Sequence, residues 1–148
     1  MEVETGGVKH CMSLLLAPLL LAGCHTPAPV AFNVPSLIGL NISQIRATLG
    51  KDVESESPVG MPSINGMVLL EEAWAKDDVV LRVDYDNTTG KVLNFFMPYV
   101  PKPNGGGFDP QLVREQGGLE EGSPKYRTEL VNPNFEGPIT PGVRIVPN

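Results

Sequence analysis

The 148-residue chain has only two histidines and two cysteines, and all four lie within the first 25 residues. Beyond residue 25 there is neither, which excludes Ser-His-Asp and Cys-His catalysis there, and zinc sites built on His or Cys. Acid–base chemistry would fall to carboxylates, lysine or tyrosine. Positive charge is scarce as well: 11 Lys and Arg stand against 17 Asp and Glu, for a net charge of −6. Binding to a phosphate backbone needs clustered Lys and Arg, so no nucleic-acid partner is expected. Long hydrophobic runs are also missing. The most apolar stretch, residues 12–23 (MSLLLAPLLLAG), falls short of the about 20 residues that span a bilayer. Glycine (16) and proline (15) are abundant, about a fifth of the chain against a typical ~12%. The length allows one domain at most.

The short apolar run fits the central region of a secretory signal. It ends in Leu21-Ala22-Gly23-Cys24, small residues ahead of a cysteine. The shallow subsites of a signal peptidase need such side chains, and the thiolate can take a diacylglyceryl group. The four residues resemble the lipobox of bacterial lipoproteins at every position. The resemblance implies cleavage between Gly23 and Cys24, lipidation of Cys24, and loss of residues 1–23 together with Cys11. It places the protein in the bacterial cell envelope, held to a membrane by its lipid. Each buried methylene contributes about 0.8 kcal/mol, and two or more chains hold stably where one does not. With Cys24 acylated and Cys11 removed, no disulfide is expected. Position 25 is His rather than the Asp that commonly retains Gram-negative lipoproteins at the inner membrane, which favours the outer one. Glu2 and Glu4 ahead of Lys9 do not fit a basic leader, and a start at Val8 would remove them. Residues 24–33 carry two prolines and read as a lipidated, extended tether.

Residues 34–97 read as a small α+β domain. Pro35 biases Val34 away from helix, so residues 34–39 are expected to be an extended lead-in. A helix over residues 42–49 has Asn41 as N-cap, Gln44 in the capping-box position, and Leu40 and Ile45 as a hydrophobic staple. Ile42, Ile45 and Leu49 form its apolar stripe and Gly50 stops it. Residues 51–66 read as a loop. Residues 67–76 (MVLLEEAWAK) are good helix formers, but their place beside a hairpin favours a strand. The hairpin is marked by Val79, Leu81, Val83 and Tyr85 alternating with polar residues, and by the turn Asn87-Thr88-Thr89-Gly90. Leu93, Phe95 and Met97 share one face of the returning strand. The fold class is therefore α+β, one short helix on a small antiparallel sheet. Its expected core is Leu37, Ile42, Ile45, Leu49, Trp74, Leu81, Val83, Leu93 and Phe95. Residues 98–148 hold nine prolines and eight glycines and read as an extension. A short helix there is capped by Asp109 with Pro110 at its first position, and residues 126–131 and 143–146 are candidate edge strands.

Motifs that carry chemistry are few. Glu71 and Glu72 point to opposite faces of a strand and make no joint site. Asp84 and Asp86 share a face but read as solvated edge residues, while Asp77/Asp78 and Glu120/Glu121 are further acidic pairs. Asp84-Tyr85-Asp86-Asn87 begins like a calcium loop, yet Thr89 and Phe95 stand where its glycine and glutamate belong. Gly105-Gly106-Gly107 lacks the Lys-Ser/Thr of a phosphate loop. No metal, no cofactor and no catalytic residue is expected. Trp74 is expected in the core, and an exposed sheet edge or the extension is the expected functional surface.

Residues 39–51 (GLNISQIRATLGK), Trp74, residues 81–86 (LRVDYD) and Gly90-Lys91-Val92 resemble the SmpA/OmlA-type small lipoproteins. That family has a capped helix ending in Leu-Gly, a tryptophan strand and a hairpin. The resemblance spans about residues 39–97, and residues 51–66 and the extension depart from it. It implies a non-catalytic protein that acts through protein–protein contacts in envelope assembly or integrity. The opening residues 34–39 (VPSLIG) resemble the start of PASTA modules, which implies the alternative of a cell-wall or glycan ligand.

Overall fold

The structure, a computed structural model, describes residues 26–50, 67–99, 107–134 and 137–148. The segment read as a signal, with Gly23 and Cys24, and residues 51–66, read as a loop, lie outside the described residues. Two helices and a five-stranded antiparallel sheet make an α+β fold. Helix α1 (Ile42–Leu49) has the expected capping box: Gln44 N donates to Asn41 Oδ1 at 3.0 Å and Asn41 N to Gln44 Oε1 at 2.9 Å. Gly50, at φ 81°, ends it with an N–H donated to the Arg46 carbonyl. Strands β1 (Leu69–Lys76), β2 (Val79–Asp86) and β3 (Val92–Pro98) form a meander. Helix α2 (Pro110–Gln116) starts on Asp109, whose Oδ1 accepts from Gln111 N and Leu112 N. Strands β4 (Tyr126–Val131) and β5 (Gly142–Pro147) then join the same sheet, in the order β1-β2-β3-β5-β4. The Pro/Gly-rich stretch 98–148 therefore supplies the second helix and two strands of one unit shared with residues 34–97.

Both helices lie on one face of the sheet. There Trp74, Leu81, Val83, Tyr85, Phe95, Met97, Val143 and Ile145 are buried against Leu37, Ile42, Ile45 and Val113. Leu49 and Leu93, expected in the core, are only half-buried. For Leu93 the reason is a bulge: Asp84 faces Asn94 while the next residue, Tyr85, faces Val92. The extra residue shifts the alternation, so Val92 takes the inward place.

The lead-in differs from its expected form. Val34–Ser36 is a 3-10 turn, not an extended segment. Its bonds run from Ser36 N to the Asn33 carbonyl and from Leu37 N to the Val34 carbonyl, so the N–H that Pro35 lacks is not needed. The preceding residues are also not a free tether. Ala28 N donates to Glu115 Oε2 at 2.8 Å, Ala31 N and Phe32 N share the Gln116 carbonyl, and Val34 N reaches the Gly117 carbonyl. The bonds to Gln116 and Gly117 satisfy carbonyls left over at the end of α2, and the Ala28 bond uses the Glu115 side chain. Phe32 and Val34 then sink into the core, at 5% and 0% exposure.

Candidate functional site

Alternation along the strands puts a second set of side chains on the face that carries no helix among the described residues. The register aligns two rows across it. One runs Glu71–Asp84–Asn94, the other Ala73–Arg82–Phe96–Arg144–Glu129. Phe96 thus sits between two arginines from neighbouring strands. Arg82 lies 3.6 Å from Glu71, and Arg144 lies 3.9 Å from Glu129, which also meets Arg127 at 3.1 Å. A shallow groove of about 200 Å³ runs along this face, and Ile139, from the segment before β5, is 61% exposed at its rim. Gly142 allows the close packing here: a Cβ in its place would stand 2.6 Å from the Phe96 ring and 2.5 Å from the Met97 carbonyl oxygen.

Asp84, in the groove, is a perturbed carboxylate. Burial pushes its carboxyl above the usual aspartate range, against a hydrogen bond with Asn94 and the charges of Arg144 and Arg82. Asn94 Oδ1 is buried and has no hydrogen-bond partner among the described residues. Two forked cations, an aromatic plate and a half-buried carboxamide–carboxylate pair equip this face to grip an extended polar chain.

The expected acidic pairs separate. Glu71 lies on the open face, whereas Glu72 lies on the helix side in a two-pronged ion pair with Arg46 of α1. Tyr85 Oη also donates to Glu72 Oε1 at 2.9 Å. These bonds, from Arg46 foremost, hold Glu72 below the usual carboxylate range against the effect of burial. Burial and the bond to Glu72 push the Tyr85 hydroxyl up. The reading of Asp84 and Asp86 as solvated edge residues is overturned, because β2 is an interior strand and both are shielded. Asp86, only 6% exposed, is used within the hairpin turn. Its oxygens accept from Thr89 Oγ1 at 2.6 Å and Thr88 N at 3.0 Å, which lowers its pKa. Asp77 and Asp78 form the β1–β2 turn, with Asp77 at φ 54°, and Glu121 is exposed beside Arg114. Trp74 is in the core at 2% exposure.

Strands β1 and β4 are the sheet edges, each paired on one side among the described residues. Sequence reasoning missed the open face because its residues come from five strands whose order it did not resolve. The alternation of Arg82, Asp84, Asn94 and Phe96 with apolar residues was its only local signal. Among the described residues no helix is long and apolar enough to cross a membrane. Comparison with protein-family models, with curated proteins and with solved structures finds no match to this chain.

Proposed function

We propose that this is a non-catalytic bacterial envelope protein, anchored by lipid on Cys24, that acts through protein–protein contacts made by the open face of its sheet. The observation that carries the reading is Leu21-Ala22-Gly23-Cys24 a few residues ahead of a folded body in which, among the described residues, one charged, grooved sheet face has no covering layer. The second reading, a cell-wall or glycan ligand, draws on Phe96 beside Asp84 and Asn94, a flat ring next to hydrogen-bonding groups. Mild crosslinking of the full chain in cells, followed by purification, separates them. The first reading expects an envelope protein whose capture is lost in Arg82→Glu and Arg144→Glu. Retention on isolated peptidoglycan, lost in Phe96→Ala and Asp84→Asn, would favour the second. Cys24→Ala should release the chain from the membrane fraction and remove the acyl mass. A parent chain of unmodified mass would overturn the anchor.

A further inference from the structure

An anchored domain usually hangs on a flexible spacer whose length decides which surfaces can meet the bilayer. Here the spacer is nearly absent. Ala28 is already fixed to Glu115 of α2, and Ala31, Phe32 and Val34 follow onto the end of the same helix. Four Cα steps separate Cys24 from Ala28, a reach of at most ~14 Å when fully extended. A folded body of about one hundred residues has a radius of gyration of ~13 Å. The leash is thus about as long as the body's own radius, too short for the far side to swing round to the lipid.

The side on which the leash leaves is set by packing. Gly117, at the end of α2, lies close against Met97 on the helix-covered face: a Cβ there would stand 2.7 Å from the Met97 sulfur. Gly118 packs in the same way on Val30. The segment therefore runs in the helix layer, with the sheet between it and the open face. Beyond the exposed Thr26, its exposed residues are Pro27, Pro29 and Val30, with Val30 at 53%. These three make a small apolar patch close to the point where the chain would enter the headgroups.

We propose that the α2 side of the domain, from Pro27 to Gln111, lies against the bilayer surface, and that the open sheet face is thereby turned away from it toward a soluble-side partner. The inference rests on the anchor reading above. It gives that reading a geometry: the covalent lipid orients the body as well as retaining it.

The test uses the full, lipidated chain in vesicles containing a lipid-borne spin quencher. Fluorophores are placed singly through Val30→Cys and Gln111→Cys on the α2 side, and through Arg127→Cys and Ile139→Cys on the open side. The expected result is quenching several-fold stronger at the first pair than at the second. Equal quenching at all four, on a chain whose mass shows the acyl group, would overturn the orientation and leave the anchor standing. A chain without acyl mass would overturn both. A long Gly/Ser insertion after Pro27 should level the four sites. Contrast that survived the insertion would show that the short leash is not its cause.

Discussion

The two faces of the sheet are built from the same strands, often from adjacent residues, and they obey different rules. Phe95 faces the helices and is fully buried, while Phe96 faces the groove and is half-buried between Arg82 and Arg144. Glu72 on the helix side has its charge fixed by Arg46 and Tyr85, whereas Asp84 on the open side is buried beyond what its neighbours offset. The covered face is arranged for stability. The open face carries a carboxylate that the fold would hold more easily in its neutral form, and such a cost is retained most readily where a surface has another task.

The contrast can be broken most directly at the adjacent phenylalanines. Phe95→Ala should cost about 3–5 kcal/mol in urea unfolding. Phe96→Ala should cost less, about 1–2 kcal/mol, since part of the ring is already in solvent. Similar losses at the two positions would mean that the open face is a second core surface. Next in size is the Arg46–Glu72 pair. Glu72→Gln should cost roughly 1–2 kcal/mol at neutral pH, because Arg46 is partly exposed and the pair is partly screened. The folded pKa of Glu72 is lowered, so its contribution is complete above the unfolded value of about 4.3 and is lost as pH falls through the folded one. The wild type and Glu72→Gln should therefore converge in acid.

The smallest effect has the opposite sign. Asp84→Asn removes a charge that burial disfavours and should raise stability at pH 7 by less than about 1 kcal/mol. Because the folded pKa of Asp84 is raised, the penalty is absent below the unfolded value of about 3.9 and grows as pH climbs through the folded one. The advantage of Asp84→Asn should accordingly vanish in acid. Parallel urea titrations of the wild type and the two carboxamide variants from pH 3 to pH 7 would sharpen the comparison, with Glu72→Gln falling below the wild type and Asp84→Asn rising above it as pH rises. A loss in both would place Asp84 among stabilising pairs.

Local chemistry was legible in the sequence. Asn41 with Gln44, Asp109 with Pro110, and Asn87 to Gly90 each announce a boundary within a few residues, and each boundary stands where those residues put it. What escaped depends on partners distant along the chain. The inward turn of Val92 in place of Leu93 needs the bulge opposite Tyr85. The docking of Phe32 needs the free carbonyls of Gln116 and Gly117. The groove needs β5 beside β3, a neighbour no local pattern specifies.

That placement of β5 bears on how the molecule assembles. The strand emerges last of the five during synthesis yet lies inside the sheet, pairing Phe95 to Ile145 on one flank and Thr128 to Ile145 on the other. Until it arrives, β4 has no ladder to join and the meander ends on a bare edge at β3. Chain growth thus defers closure of the sheet until β5 has been made, and the two halves of the sheet meet only through that strand.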